Sequence, residues 1–334
     1  MITLGIETSC DECACGIVND KLEILSNKIF DQEDLHRQFG GVVPEVAARA
    51  HLEKIASVVK LSLEEANLEL SQIDLIAYTR GPGLVGPLLV GASFAQGLGA
   101  AAHIPVAGIS HLEGHLSAAI LSQKDLKPPF LCLTVSGGHT ELCLVSELFE
   151  YEVLGKTRDD AAGEAFDKCG KVLQLGYPAG PLISKHAEKG DRKFVTFPQG
   201  LNQKGNFEFS FSGLKTSFSH YIQNQKPEFI QEHLSDICAS LESAIVEILV
   251  KKTVKAAQSK GVPWVAICGG VSANKHLRQR MVDECEKRDI QVAVPDFSLC
   301  TDNGAMIAGI AQMRASHKKL NYNTIVQPSL AWEN

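Results

Sequence analysis

What this 334-residue sequence lacks removes several functions first. It lacks an excess of positive charge: 32 Lys and Arg against 39 Asp and Glu leave a net −7, so it does not grip nucleic acid by its overall field. Any RNA contact needs a partner or a local patch, and the cluster of Lys251, Lys252, Lys255, Lys275, Arg278 and Arg280 is modest. A long uninterrupted apolar run is missing too. The most apolar region, LLVGASFAQGLGAAAHIPVAGI from residue 88, is broken by Gln96, His103 and Pro105, and reads as a buried helix feeding a strand. No basic segment or cleavage site opens the chain, so a cytoplasmic location without a membrane partner is expected. The ten cysteines lack the spacing of a secreted disulfide framework. Cys10, Cys13 and Cys15 in SCDECAC lack a second ligand pair at metal-finger spacing, so they are expected to be buried thiols.

What is present is a folded α/β pattern. Hydrophobic content of 45% and charged content of 21% exclude disorder, and the length suits two lobes of roughly 100 to 200 residues each. ITLGIET, SCDE and ACGIVN read as strand, turn and strand, and FLCLTVS, GGHT and ELCLVS repeat the order later. Two such hairpins, each opening one half of the chain, suggest a duplicated fold. Pro44 suits the first turn of an amphipathic helix, DLIAYTRGPG ends a buried strand in a glycine loop, and Leu234, Ile237, Leu241, Ile245 and Leu249 step along one helical face that Gly261 closes. WVAICGG, NKHLRQRMVDECEKR and IQVAVPD then give strand, helix and strand, an order that demands parallel pairing.

Two constellations carry chemistry. In HLEGHLSA, His111 and His115 are four apart; about 400° of helical rotation puts both imidazoles on one face, where they could share a metal ion. A zinc protease instead needs H-E-x-x-H, and here the acid is Glu113, on the other side of the helix. Adjacent glycines in TVSGGHT and ICGGVSANKHLR let backbone N–H groups approach phosphate, and Ser272 or Asn274 caps the helix after the second pair. Either glycine pair alone is also what a tight turn requires. Together with TRGPG and TSCDE they point to a nucleotide cleft. DDAAGEAFDK, with Asp159, Asp160, Glu164 and Asp167, fits a solvated helix start equally well.

Nine stretches in order, GIETSCDE, GGVVPEVAAR, GPGLVGPLLVG, HLEGHLSA, VSGGHTEL, DDAAGEAFDK, FSFSGLKT, GGVSANKHLR and CTDNGAMIA, closely resemble the bacterial tRNA N6-adenosine threonylcarbamoyltransferase family, once labelled glycoprotease. The resemblance implies a duplicated actin, Hsp70 and sugar-kinase type of α/β fold with a nucleotide cleft between two lobes. An N-terminal lobe is expected over 1–128 with its metal-binding helix at 111–121, a C-terminal lobe over 129–302, and a return of 303–334 to the first. It implies transfer of a threonylcarbamoyl group from threonylcarbamoyl-adenylate to N6 of the adenosine just 3′ of the anticodon, in tRNAs reading codons that begin with A. It further implies one divalent metal ion, iron with zinc as the alternative, on His111, His115 and Asp302. The substrate cradle maps to Thr134, Val135, Ser136, Gly137 and Gly138, with Asp167, Gly180 and Asn274 around the adenylate; ATP or AMP would occupy the same place. Asp11 or Glu12 is a candidate proton acceptor or substrate-positioning group, although a carboxylate in a hairpin turn is as often just solvated. Expected partners are tRNA, a paralogous actin-like subunit, a small ATPase and the synthase that supplies the adenylate. Where the family commonly reads DET and TAGPG, this chain has Cys13 and Arg80. The rival readings are a metalloprotease, which leaves the glycine loops unexplained, and a non-catalytic nucleotide-dependent scaffold.

Overall fold

The computed structural model describes residues 1–201, 203 and 205–332. In chain order its elements are β1 (Thr3–Glu7), β2 (Cys13–Val18), β3 (Ile24–Phe30), α1 (Glu33–Arg37), α2 (Pro44–Ala66), β4 (Leu75–Gly81), α3 (Val85–Ala102), β5 (Val106–Ser110) and α4 (His111–Ser122). There follow β6 (Phe130–Val135), β7 (Thr140–Glu147), β8 (Glu150–Lys156), α5 (Ala162–Val172), α6 (Ala179–Ala187), α7 (Ser212–Gln223), α8 (Pro227–Glu232), α9 (Leu234–Lys260), β9 (Trp264–Cys268), α10 (Lys275–Glu286), β10 (Gln291–Ala293) and α11 (Gly304–Ser316).

The chain divides into two compact units, Met1–Lys124 with the segment from Pro295 onward, and Asp125–Val294. The divisions fall a few residues before the expected 128/129 and 302/303. Asp296 N–H donates to Ser122 Oγ (3.0 Å), so the chain is already tied to α4 there. Asp302, expected in the second lobe, therefore belongs to the first unit with both histidines.

Each unit is built on a five-stranded sheet with the same plan. In the first the order is β3-β2-β1-β4-β5, and in the second, read from the other edge, β8-β7-β6-β9-β10. The leading strand of each, β1 or β6, pairs antiparallel with the next strand and parallel with a later one. The duplication inferred from the two hairpins is thus a repeated topology. Strands β1, β2, β4 and β6 are buried along their whole length, as expected for strands covered on both faces. All ten cysteines are free thiols, and Cys13 and Cys15 are wholly buried in β2.

Local chemistry sets the helix ends. Pro44 occupies the first position of α2 and Asn67 closes it in the left-handed region; Gly261 does the same for α9 at φ 65°. Helix α3 corrects the expectation of a buried helix. It packs Leu88, Ala92 and Ala95 inward, but Val85 and Leu89 on its other side are half exposed, as is Leu61 on α2. It is also the one helix, among the described residues, long and apolar enough to cross a membrane. In α11 small residues allow close packing on β1 and β2: a Cβ on Gly304 would lie 2.0 Å from the Gly16 amide nitrogen. That contact fixes the helix start that carries Asp302.

Candidate metal centre and glycine loops

Helix α4 begins directly at the end of β5, so His111 and His115 project from its first two turns, His111 nearly and His115 wholly buried. Their rings meet edge to face with centroids 4.5 Å apart. Asp302 comes from the turn before α11, where Asn303 accepts the Met306 N–H as the helix cap. Its Oδ1 lies 3.5 Å from His111 Nε2 and 3.3 Å from His115 Nε2. One ligand atom from each residue falls within 4.8 Å of the others. The spacing argument for His111 and His115 and the helix-start argument for Asp302 thus meet in one place.

The fit to a metal ion rests on His115. Its ring is fully buried, yet neither nitrogen has a hydrogen-bond partner. A buried imidazole without partners carries a desolvation cost that a coordinating ion would offset. Two imidazoles and one carboxylate also form a donor set with room for further ligands.

A supporting shell surrounds this triad that sequence reasoning missed. Glu7, wholly buried at the end of β1, accepts from His111 Nδ1 (3.0 Å), from Thr79 Oγ1 (2.6 Å) and from the Ser9 amide. Ser9 Oγ also lies 3.2 Å from His111 Nδ1. With Nδ1 held by Glu7, Nε2 is the ring nitrogen turned toward Asp302 and His115. The only sequence signal was an acid closing an otherwise apolar strand.

Glu113 is consumed elsewhere. Both of its oxygens accept from the Arg314 guanidinium, each partner almost wholly buried, and this ties α4 to α11. It faces away from the histidines as expected and is no protease base. Arg80, which departs from the family pattern, is buried and donates to the Ile325 carbonyl (3.3 Å), where it anchors the C-terminal segment.

Asp11 and Glu12 sit in the turn between β1 and β2, partly exposed. Desolvation first, then Asp302 and Asp11, push the Glu12 carboxyl well above the usual carboxylate range. The same surroundings raise the Cys10 thiol.

In the second unit the expected cradle divides. Thr134 and Val135 are core residues of β6, with the Thr134 hydroxyl against Cys268 Sγ (3.4 Å). Ser136 closes the turn: its N–H donates to the His139 carbonyl and its Oγ accepts the His139 N–H. Gly137 and Gly138 lie exposed, and a Cβ on Gly137, Gly138 or Gly270 would meet nothing within 4 Å. The protein itself therefore leaves room at all three. Gly269 differs: its φ is 87°, and a Cβ would strike the Val135 carbonyl, so glycine is required for β9 to approach β6.

Asp167 and Gly180 come together, because Asp167 Oδ1 accepts the Ala179 N–H at the start of α6. Asn274 is the cap of α10 in place of Ser272, accepting the Leu277 N–H, and both its amide hydrogens go to Ser184 and Glu242. Its side chain is committed to the protein. Ser136, Gly137 and Gly138 follow the C-terminal end of β6, and Gly270 and Asn274 follow that of the parallel β9, where open α/β sheets bind ligands. Asp159 proves structural: burial alone would raise its carboxyl, but hydrogen bonds from Ser210, Phe211 and Ser212 hold it below its ordinary value and cap α7. The basic cluster is also largely spent. Lys252 donates to the Leu201 and Asn206 carbonyls, Lys251 and Arg280 pair with Glu247, and Lys275 pairs with Glu188.

Comparison with known proteins adds three findings. The profile of the TsaD family, tRNA N6-adenosine threonylcarbamoyltransferase, matches residues 23–309. A protein of that name from Clostridium botulinum (strain 657 / Type Ba4) is 48% identical over 308 residues, covering 92% of this chain and 91% of the relative. Among solved structures, T. kodakarensis HypF superimposes with TM-score 0.63 at 15% identity, over 98% of this chain and 49% of that one. The Acidaminococcus fermentans (R)-2-hydroxyglutaryl-CoA dehydratase component A gives 0.57 at 16% identity, over 95% and 99%. At such low identity these two speak to the fold, which is of the actin, Hsp70 and sugar-kinase type.

Proposed function

The chain belongs to the tRNA N6-adenosine threonylcarbamoyltransferase family and is a transferase, and from this we propose that it moves the threonylcarbamoyl group of threonylcarbamoyl-adenylate onto N6 of the adenosine 3′ of the anticodon, in tRNAs reading codons that begin with A. The observation that carries the metal-assisted form of this reading is the buried His115 ring, whose nitrogens make no hydrogen bond, beside His111 and Asp302. His111 and His115 through Nε2, and Asp302 through its carboxylate, would hold one divalent ion, iron with zinc as the alternative. When bound, that ion supplies Lewis-acid polarisation of a carbonyl or phosphoryl oxygen.

The chain's own groups do the rest. The N6 amine attacks the carbamoyl carbon, the bond from that carbon to the phosphate oxygen breaks, and AMP departs. The amine must lose a proton in the process. Glu12 accepts it, because a carboxylate whose proton affinity has been raised is a stronger base than an ordinary one. The exposed amides of Gly137 and Gly138, with the open space beside Gly270, receive the adenylate phosphate. Asp167 and Gly180 face the rest of the nucleotide, and Asn274 holds the α10 start in place through Glu242 and Ser184.

Partners fit the surface. With Lys251, Lys275 and Arg280 of the basic cluster paired to carboxylates and a net charge of −7, the chain alone binds tRNA weakly. The apolar strip of exposed Leu52 and Leu89 with part-buried Phe94 on α2 and α3 supports docking of a protein, read here as the paralogous actin-like subunit, with the small ATPase and the adenylate synthase completing the system. A tRNA substrate supports a cytoplasmic location.

The test is reconstitution with tRNA, threonylcarbamoyl-adenylate and the partners, scoring modified nucleoside and bound metal. His115→Ala and Asp302→Ala should each lose metal and at least a hundredfold in transfer, since an open three-ligand site tolerates no missing ligand. Full transfer by metal-free protein would reject the metal role, and no product from the metal-loaded system would reject the transfer itself.

A further inference from the structure

A buried hydrogen-bond relay runs from the exposed loop before α2 to the turn that carries Asp11 and Glu12. Val43 N–H donates to His36 Nδ1 (3.3 Å), and His36 Nε2 meets Gln32 Oε1 (3.4 Å). Gln32 Nε2 meets His51 Nδ1 (3.2 Å), and His51 Nε2 meets the Cys10 carbonyl (2.9 Å). His36, Gln32 and His51 are all essentially inaccessible to solvent.

The chain has one consistent polarity. If both imidazoles are neutral with hydrogen on Nε2, every link joins a donor to an acceptor: Val43 N–H to Nδ1, Nε2–H to the Gln32 carbonyl, the Gln32 amide to Nδ1, and Nε2–H to the Cys10 carbonyl. Burial lowers the proton affinity of His51 and keeps it in that neutral form. At one end stands the loop Arg37–Gly40, exposed throughout and including Phe39. At the other, Cys10 is flanked by Ser9, which touches His111, and by Asp11 and Glu12. Packing alone would be served by apolar side chains; three buried polar residues in series define a direction and a geometry.

We propose that His51, Gln32 and His36 are positioning residues that hold the Cys10–Glu12 turn in register with the loop over residues 37–43, so that the conformation of this loop sets the placement of Glu12. The proposal rests on the reading of Glu12 as the proton acceptor for transfer. It involves no contact of the relay with substrate.

The experiment uses the full chain and three variants. Gln32→Met removes both central links at nearly constant volume, and Gln32→Glu keeps them, because a protonated carboxyl accepts from His36 through its carbonyl oxygen and donates its O–H to Nδ1 of a neutral His51 that still donates to Cys10. His36→Phe deletes only the outer end and serves if Gln32→Met fails to fold. Hydrogen exchange is read over residues 9–13 and 37–43, with β6 and β7 as internal controls, and transfer is read as separate kcat and KM. Gln32→Met and His36→Phe should speed exchange in both segments at least tenfold with β6 and β7 unchanged. In the reconstituted system kcat should fall tenfold or more with KM for the adenylate within twofold, and Gln32→Glu should restore both readouts.

Faster exchange over 37–43 without any change over 9–13 would overturn the coupling. Loss of activity that Gln32→Glu does not rescue, or that appears in KM alone, would overturn the positioning role. Coupled exchange in a protein that transfers nothing in any form would instead leave the relay standing and reject the function on which its purpose rests.

Discussion

Replacing Glu7 by Gln tests whether the metal site is organised from behind. The carboxylate receives three donors, the Ser9 amide on Oε1 and both Thr79 Oγ1 and His111 Nδ1 on Oε2, and donates to none. A glutamine offers one carbonyl oxygen and one NH2. If the NH2 takes the Oε1 position it faces the Ser9 N–H, which is fixed in the backbone and has no means of turning away. If it takes the Oε2 position, the Thr79 hydroxyl can rotate, but His111 must move its hydrogen from Nδ1 to Nε2 to accept. That hydrogen then occupies the lone pair aimed at Asp302 and His115. The second orientation avoids the backbone clash and should prevail, so the cost falls on metal affinity. Partners behind a metal-bound imidazole are typically worth 10–100-fold in affinity, or about 1.4–2.7 kcal/mol. Competition against a chromophoric chelator with zinc should show that loss in Glu7→Gln. An affinity within twofold of the unaltered protein would refute the claim that Glu7 sets the His111 tautomer.

Three further outcomes are expected. Gly137→Val should weaken adenylate binding by calorimetry at an unchanged melting temperature, because the protein leaves that Cβ position empty; undiminished affinity would move the phosphate elsewhere. Leu89→Asp, at a half-exposed position on α3, should abolish association with the partner subunit in sedimentation while leaving the isolated chain as stable as before. Glu12→Gln should stabilise the metal-free protein at neutral pH. The native state raises the Glu12 carboxyl above its unfolded value, so it binds the proton more tightly than the unfolded chain, and stability falls as pH rises through the interval between the two. The advantage of the variant should therefore vanish on acidification below the unfolded glutamate range of about 4. Denaturant titrations at several pH values that gave a constant difference would contradict the sign.

Much of the scaffold was legible because burial on both faces of a sheet writes long apolar strands. The inner strands β1, β4, β6 and β9 all stood out in the sequence, and so did the helical stepping of α9. The outer strands β3 and β8 did not, since each has one face toward water and mixes charged with apolar residues, as in ILSNKIF and EYEVLGK. Spacing also carried the two histidines, because four residues on a helix fix their common face without reference to the rest of the fold.

What spacing could not carry was the destination of a polar side chain. Asn274 was expected beside the adenylate and Lys252 in a basic cluster, and each is spent on a cap or a carbonyl inside the protein, as is Asp159 of the acidic stretch. Glu7 looked like the last residue of a strand and is the group that orients His111. Asp302 was matched to the metal site and expected in the second lobe, and it falls in the first unit, which changes what an ion held there would do. With all three candidate ligands in the first unit, a bound ion joins the start of α4 to the start of α11. Those two helices are already bound by Glu113 to Arg314 and by Ser117 to the Met306 carbonyl. Their separation is therefore fixed by the protein itself, at a geometry that leaves the nitrogens of the buried His115 ring without a hydrogen bond. An ion bound by His111, His115 and Asp302 would complete a preformed site, which is the arrangement expected of a centre that polarises a substrate and not of one that holds the fold together.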